Sequence, residues 1–251
     1  MRKEFSTGST CLRPSLPDVR RRNFMCGRYT QTADPTKLAH RFRLEPPEPG
    51  ISRRYNIAPT QDAPVVSNND PKRLRLMRWG LIPSWAKDEA IGNRMINARA
   101  ETLAEKPSFK KPLERRRCLV LSDGFYEWRK ANRAKIPVRI VLKSREPFAF
   151  AGLWDIWPDP EGREVPTFTI ITTEANELLK PIHDRMPVIL RPEDEGKWVD
   201  PKLVDPTNLI PFLKPYPAVE MESYEVSPSV NSPSDDSPNC IAPLNKDLLA
   251  K

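Results

Sequence analysis

Alternating apolar and polar residues mark several short segments of the chain, as expected for strands that bury one face. The segment Arg73–Trp79 alternates charged and apolar side chains and predicts a half-buried strand. Arg54–Pro59 and Ala63–Ser67 also have extended character. Four further strand candidates, separated by turn signals, are Cys118–Leu121, Val138–Leu142, Phe148–Leu153 and Phe168–Thr172.

Helical patterns are shorter and fewer. Residues 34–43 place an Asp before a Pro and space apolar residues along one face, which predicts a short capped helix. The Ala and Glu content of residues 93–104 predicts a helix near Asn97–Leu103, and Glu174–Leu179 and Pro192–Trp198 are expected to be helical as well. Many strands with few helices predict a single α+β domain, with a mainly antiparallel or mixed, barrel-like β-sheet core flanked by short helices.

The two ends of the chain differ in composition from its middle. Residues 1–24 carry six basic and two acidic side chains but no apolar stretch of the length that a secretory signal needs. We therefore expect residues 1–25 to be a leader that is absent from the working protein or removed from it. From Ser227 onward the chain is rich in Ser, Pro, Asn and Asp, which by composition alone predicts disorder.

Charge and hydropathy limit the classes of function. The 251 residues carry a formal net charge of +8, half of it in residues 1–24, so the rest is only mildly basic. Such a charge is compatible with a phosphate-bearing partner but does not establish one. No apolar run approaches the ~18 residues that a membrane span needs. We expect a soluble cytoplasmic protein without a membrane partner, associated with the nucleoid if the source is bacterial.

The cysteines and histidines argue against a metal site. The cysteines are widely separated and form no C-x-x-C pair, and histidines are scarce: Cys11, Cys26, Cys118 and Cys240 accompany only His40 and His183. Neither a structural zinc site nor a disulfide framework is expected from this pattern. We expect no metal and no cofactor.

Met25 followed by Cys26 is the most informative local feature. If the mature chain begins at Cys26, this residue carries a free α-amine beside its thiol. An α-amine with a pKa near ~7.7 to 8.0 is partly neutral at pH 7 and can condense with an aldehyde to an imine. The thiol can then close onto the imine carbon as a five-membered thiazolidine. The ordinary alternative for any single cysteine is a buried structural role.

Six segments follow one another in an order that resembles one protein family. They are Met25–Arg28, Arg54–Pro59, Trp79–Trp85, Ile96–Glu101, Gly124–Trp128 and Ile182–Pro187. Together they resemble the SRAP family, abasic-site processing proteins first named SOS response-associated peptidases. The resemblance implies one domain over residues 26–243, whose closing segment Val226–Pro243 packs on it, and only residues 244–251 remain as a loose tail.

The resemblance further implies capture of an abasic site in single-stranded DNA. The ring-opened sugar aldehyde would react with Cys26 to give a thiazolidine crosslink that shields the lesion during replication and the DNA damage response. Asn97 would position the Cys26 amine or the sugar. Glu127 would transfer protons, and His183 would assist opening of the sugar ring. Asp184 is expected to contribute little, because adjacent side chains often point apart.

Eight residues are candidates for DNA contacts. Guanidinium groups suit phosphate oxygens, two tryptophans flank a loop that could meet an unstacked base, and three others match family positions near the DNA cleft. In chain order they are Arg28, Asn56, Pro59, Trp79, Trp85, Arg99, Thr172 and Arg185. Core packing is an equal alternative for Trp79. We expect a monomer whose partner is single-stranded DNA that contains abasic sites.

Two other functions remain open. A cysteine peptidase would use Cys26 and His183 as a dyad, and removal of its own residues 1–25 would be its natural reaction. A non-catalytic single-stranded DNA-binding module would use the Trp and Arg residues alone, but it leaves Glu127 and His183 without a task.

Overall fold

A computed structural model describes residues 27–131 and 134–244. These ranges contain four α-helices: α1 (Pro35–Phe42), α2 (Pro107–Arg115), α3 (Pro192–Trp198) and α4 (Pro206–Leu209). They also contain twelve strands: β1 (Tyr29–Gln31), β2 (Arg54–Ile57), β3 (Asp62–Ser67), β4 (Arg75–Trp79), β5 (Asn97–Arg99), β6 (Arg117–Ser122), β7 (Gly124–Ala131), β8 (Ala134–Leu142), β9 (Phe148–Pro158), β10 (Glu164–Glu174), β11 (Arg185–Pro187) and β12 (Met221–Glu225). Within the described residues, no helix has both the length and the apolar character needed to cross a membrane.

The strands form two sheets. The first is antiparallel, with the order β12-β8-β7-β1-β2. In the second, β9 pairs with both β6 and β10, so that β10, β4, β3, β6 and β9 form a closed ring. β5 and β11 extend this ring along β10. The predicted α+β domain with a barrel-like, mixed sheet core and short flanking helices is confirmed.

Alternation along each strand distributes apolar side chains between two cores. In β6, Cys118 and Val120 belong to the cluster between the two sheets, whereas Leu119 and Leu121 belong to the cluster under the helices. Because successive side chains of a strand point to opposite faces, a strand covered on both faces is apolar throughout. β6 is buried at every position for this reason.

Most of the predicted elements are present. The strand candidates are confirmed as β2, β3, β4, β6, β8, β9 and β10, several of them longer than predicted, and the helices at residues 34–43 and Pro192–Trp198 are confirmed as α1 and α3. The Asp34 carboxylate caps α1 by accepting the backbone N–H of Thr36 at 2.9 Å, as the Asp-Pro pair predicts.

Two predicted helices are wrong. Residues 97–99 form strand β5, because the free edge of β10 takes their backbone hydrogen bonds, and only one turn of 3₁₀ helix follows. The pairing outweighs the local preference for helix. Residues 175–182 form turns instead of a helix, because the side-chain oxygen of Asn176 accepts the backbone N–H groups of Leu178 and Leu179.

The composition-based expectation of a disordered C-terminus is also wrong for residues 227–244. Val226, Val230 and Cys240 are fully buried against Tyr126 of β7. The packing of residues 226–243 that the family resemblance implies is therefore present. The expected leader at residues 1–25 lies outside the described residues, as does the loose tail apart from Leu244.

Arg117 ties two helices to the barrel wall. This fully buried arginine donates through its guanidinium to four backbone carbonyls, at 2.6–2.9 Å. Two acceptors belong to the last turn of α2 and two lie at and just after the end of α3: Leu113, Glu114, Trp198 and Asp200. The negative ends of the helix dipoles suit a cation there, even though burial lowers the pKa of Arg117 to about 10.

Replacement of Arg117 should destabilise the fold. Arg117→Met removes the donors of four carbonyls and should lower the free energy of unfolding by about 3 kcal/mol or more, measured by urea denaturation followed by circular dichroism. Lys110→Met, at an exposed position of α2, is the control and should change it by less than about 0.5 kcal/mol. Equal stability of the two variants would show that the guanidinium contributes nothing.

Candidate active site

A cleft of about 400 Å³ opens beside the start of β1. Its lining residues come from the beginning of β1, the loop after β2, the segment before β5 and β7: Gly27, Arg28, Pro59, Asn93, Ile96 and Trp128. Gly27 directly follows Cys26, which lies outside the described residues. The cleft is therefore the cavity next to the most reactive residue that the sequence predicts.

The pairing of β1 with β7 relates this cleft to Glu127. Tyr29 lies opposite Phe125, and the backbone N–H of Tyr126 donates to the carbonyl of Arg28 at 3.0 Å. Continuing the same antiparallel register places Gly27 opposite Glu127. Glu127 is only 2% exposed, so it is a buried carboxylate rather than one on a strand surface.

A buried cluster around Asp123 holds β1 in this register. The Asp123 carboxylate accepts the Thr30 hydroxyl at 2.6 Å and the backbone N–H of Thr32 at 2.7 Å. Arg139 completes the cluster with an ion pair to Asp123 at 3.1 Å. The residue at position 124 must be glycine, because a Cβ on Gly124 would lie 2.8 Å from Nε of Arg139.

Asn56 connects the cleft to the C-terminal segment. Its side-chain oxygen accepts from Arg28 at 3.0 Å, and its amide donates to the carbonyls of Val230, Ser232 and Asp235. Asn56 is fully buried and each of its side-chain polar atoms has a partner within the protein, and its contact with DNA stays a prediction. Asn56 lies near the cleft because it is hydrogen-bonded to Arg28, which lines it.

The C-terminal segment also holds two walls of the cleft. The Arg28 guanidinium donates to the carbonyl of Val230 at 2.6 Å, and Nε1 of Trp128 donates to the side chain of Asn231 at 2.7 Å. The Asp236 carboxylate accepts the backbone N–H of Asn56 at 2.7 Å and so fastens the segment to β2. Burial lowers the pKa of Arg28 from its ordinary value. The Arg28 guanidinium lines the cleft but is already hydrogen-bonded to other parts of the protein.

The second edge of the site is built on β5. Asn97 lies opposite Ile170, and Arg99 opposite Thr172, in a parallel pairing with β10. The side chains of Asn97 and Arg99 therefore share a face, as expected of an extended segment. Asn97 is half-buried, whereas Arg99 is exposed and forms no ion pair among the described residues.

Two glycines allow the segment before β5 to reach the cleft. Gly80 has a φ of +124°, in the region that favours glycine, and a Cβ there would lie 2.7 Å from the carbonyl oxygen of Gly92. This close backbone contact positions the 3₁₀ segment Glu89–Arg94. Asn93 and Ile96 reach the cleft as a result.

Arg185 is engaged by Glu101 instead of facing solvent. Its guanidinium donates to both carboxylate oxygens of Glu101 at 2.6 and 2.8 Å, and to the carbonyl of Thr172 at 2.8 Å. These bonds hold the pKa of Glu101 below its ordinary value. Thr172 is fully buried, and its contact with DNA stays a prediction. Arg185 would have to give up Glu101 in order to bind a phosphate.

His183 lies on the loop before β11 and is 19% exposed. Its Nδ1 is 3.1 Å from the backbone nitrogen of Arg185 and 2.9 Å from the Asp184 carboxylate. Asp184 therefore points toward the imidazole, although adjacent side chains often point apart. Burial lowers the pKa of His183, Asp184 and the Arg185 backbone oppose this shift, and Lys130 and Lys135 add smaller effects that lower the pKa. In the neutral imidazole the bond from Arg185 places the proton on Nε2, whereas the nearby Asp184 carboxylate favours the protonated form.

The tryptophans and Pro59 divide between core and surface. Trp79 is fully buried, stacks on Phe168 with ring centroids 6.3 Å apart, and donates through Nε1 to Ile96 at 2.8 Å. Of the two alternatives for Trp79, core packing is the one present in this structure, and its contact with DNA stays a prediction. Trp85 is 62% exposed and Pro59 is half-buried at the cleft. Both positions are open to a ligand.

Some residues of the site were missed by sequence reasoning. Lys130 and Lys135 act to lower the pKa of His183, and their only signal was the basic run between two predicted strands. Asn231 lies in a segment whose composition resembles disorder. Cys118 is an implausible nucleophile, because burial raises the pKa of its thiol. In the described part of the chain, no cluster of three His, Cys, Asp or Glu side chains could hold a metal ion.

Comparisons with known proteins assign the chain to a family. The abasic site processing protein YoqW of Bacillus subtilis is 51% identical over 221 residues, which cover 86% of this chain and 99% of YoqW. HMCES of Gallus gallus, also named an abasic site processing protein, is 32% identical over 76% of this chain and 66% of its own length. A crystal structure of a protein from Bacteroides thetaiotaomicron matches with a TM-score of 0.80 and 32% identity, covering 88% of this chain and all of that one. Residues 25–233 match the family model described as SOS response associated peptidase (SRAP), and the chain belongs to this family.

Proposed function

We propose that this protein processes abasic sites in single-stranded DNA by forming a covalent crosslink through Cys26. The names of its relatives supply the substrate class. The observation that carries the chemistry is the position of Gly27, which lines the cleft and by register lies opposite the buried Glu127. In a chain that begins at Cys26, the α-amine is one residue away from that position.

The reaction begins with the closed sugar of the abasic site. The bond between C1′ and O4′ breaks, its electron pair goes to O4′, and the proton of the C1′ hydroxyl leaves as the aldehyde forms. A neutral His183 with its proton on Nε2 donates a hydrogen bond to O4′, and solvent water supplies the proton that O4′ gains. Glu127 is the carboxylate that takes up the proton from the hydroxyl.

Two condensation steps complete the crosslink. The Cys26 amine adds to C1′, and the resulting carbinolamine loses its oxygen as water, with the proton returned by Glu127, while the nitrogen gives one proton to solvent and leaves a neutral imine. The sulfur then adds to the imine carbon, and the thiol proton passes to the nitrogen. The net change is the joining of aldehyde and aminothiol with loss of one water, without oxidation or reduction. Asn97 is assigned to hold the amine or the sugar in place.

Binding of the flanking strand is assigned to exposed groups. Arg99 is a cation without an ion pair among the described residues, and Trp85 presents most of its indole to solvent. Arg28 and Pro59 lie at the cleft itself. Stacking contributes about 1 to 3 kcal/mol per base in single-strand binders and does not depend on sequence. Such contacts suit a lesion that has no base to read.

The proposed reaction requires that residues 1–25 be absent. A peptide bond before Cys26 would make its nitrogen an amide, which cannot form an imine. Self-removal of residues 1–25 is one proposed route to the reactive form.

A crosslinking assay tests the proposal directly. Protein that begins at Cys26 should give a heat-stable complex with single-stranded DNA containing one abasic site, with a mass equal to the sum of the two components minus one water. Cys26→Ser keeps the amine and should lose the heat-stable product, yet borohydride reduction should recover a crosslink by trapping the imine. Undamaged DNA is the control. Denaturing gels and intact mass spectrometry read out both products.

Three other outcomes would contradict the proposal. Equal crosslinking by a chain that retains residues 1–25 would exclude attack by the amine. Cleavage of unrelated peptides without any crosslink would favour a cysteine peptidase. Tight binding of the DNA without a covalent product would favour a non-catalytic binding module.

The acid–base roles have their own test. His183→Gln and Glu127→Gln should each slow crosslinking by roughly 10²-fold, because each removes a proton-transfer group, while affinity for undamaged single-stranded DNA changes by less than about twofold. His40→Gln, on the exposed side of α1, is the matched control and should react at the normal rate. Single-turnover kinetics and fluorescence anisotropy measure the two quantities. A loss of affinity that accounts for the whole rate defect would assign these residues to binding alone.

A further inference from the structure

The hairpin of β7 and β8 projects beyond the other described strands of the first sheet. β1 pairs with β7 at Gly124 and Phe125, and β12 pairs with β8 only up to Val138, so the later rows of the hairpin are two-stranded. We call residues 129–131 and 134–136 the hairpin arm. Its rows pair Arg129 with Ile136, Lys130 with Lys135, and Ala131 with Ala134.

Two like charges face each other across this arm. Lys130 and Lys135 are exposed and directly opposite, which places their Cβ atoms about 4.5–5.5 Å apart and destabilises the pair. Neither ammonium is paired with an acid in the part of the chain that the structure describes, whereas neighbouring Arg129 is paired with Glu225. The arm therefore carries two uncompensated cations at one point.

The lysine pair lies on the same face of β7 as Trp128. Tyr126, Trp128 and Lys130 alternate with the residues of the opposite face, and Tyr126 and Trp128 pack in the same cluster. Trp128 is a wall of the cleft. Positions two apart on a strand are separated by about 7 Å, so an aromatic ring and then two ammonium groups extend outward from the cleft.

The cleft wall Trp128 places these charges beside the cleft, and both lysines also act to lower the pKa of His183 on the loop before β11. The acid on that loop, Asp184, contacts His183. A negative group that occupies the space between the two lysines would remove their repulsion.

We propose that the hairpin arm binds the phosphate backbone of the single strand next to the lesion, with Lys130 and Lys135 sharing one or two phosphates and Trp128 supporting the nucleotide between them and the cleft. The identity of the polymer as single-stranded DNA rests on the proposed function. The arm is then a phosphate subsite separate from Arg99, which lies on the other edge of the site.

Binding of undamaged single-stranded DNA at several salt concentrations tests this subsite. K130A/K135A should weaken binding by about tenfold at low salt and reduce the slope of log K against log salt by about 0.7 for one phosphate or about 1.4 for two, since each phosphate contact on a single strand contributes about 0.7. K110A/K111A removes the same charge from exposed positions of α2 and should leave the slope unchanged. K130R/K135R should retain binding. The melting temperature of K130A/K135A should not fall, because the substitution removes a repulsion.

Crosslinking separates this inference from the proposed function. At saturating abasic-site DNA, K130A/K135A should crosslink to the same final yield as the unchanged protein, and its binding defect should disappear with oligonucleotides that lack the nucleotides on one side of the lesion. Normal crosslinking with unchanged affinity and salt slope in K130A/K135A would overturn the subsite and leave the proposed function intact. Salt-dependent binding through the lysines without any crosslink would support the subsite and overturn the crosslinking mechanism.

Discussion

The Asp123 carboxylate is the constraint on which the position of the site depends. β1 has only three residues, too few to define its own place in a sheet. Asp123 accepts from Thr30 and from both the backbone and the side chain of Thr32, and Arg139 neutralises it in a setting where an unpaired charge would be costly. Because β1 is held in one register, Gly27 has a defined position next to β7.

The charged side chains around the cleft differ in what they are available to bind. Arg28 and Arg185 have their guanidinium groups occupied by carbonyls or by Glu101, and they fasten the C-terminal segment and β11 to the domain. Arg99, Lys130 and Lys135 have no acidic partner within hydrogen-bond distance among the described residues. A phosphate that binds the first group must break existing bonds, whereas one that binds the second only replaces water. Contacts with the phosphate backbone of DNA therefore cost the least free energy at Arg99, Lys130 and Lys135.

The sequence predicts strands better than the roles of individual polar residues. Alternation in Arg73–Trp79 is a local property of the chain and identifies β4 directly. The conformation of Asn97 depends on an edge of β10 that is distant in sequence, so local helix preference gives the wrong answer. Composition likewise suggests disorder after Ser227, because the stabilising partners of that segment, Asn56 and Arg54, lie about 180 residues away.

The same limitation applies to residues that match a family motif. Trp79 and Trp85 occur in one motif and have the same chemistry, yet one is fully buried and the other is 62% exposed. Motif position identifies a residue that matters without saying whether it contacts the ligand or the core. Asn56 is a clear case, since its fully buried amide is hydrogen-bonded to Arg28 of the cleft wall. Burial and hydrogen-bond partners are what separate the two roles.

A reactive group at the start of a chain gives the proposed chemistry a selectivity that an internal cysteine could not have. Burial raises the pKa values of the Cys118 and Cys240 thiols, so neither is a ready nucleophile in the folded domain. An internal Cys26 would offer a thiol alone, whose adduct with an aldehyde is a reversible hemithioacetal. Only a terminal cysteine combines amine and thiol on adjacent carbons and closes a stable ring. The proposed activity therefore depends on the covalent state of the chain at one peptide bond, and the fold contributes by holding Gly27 opposite Glu127.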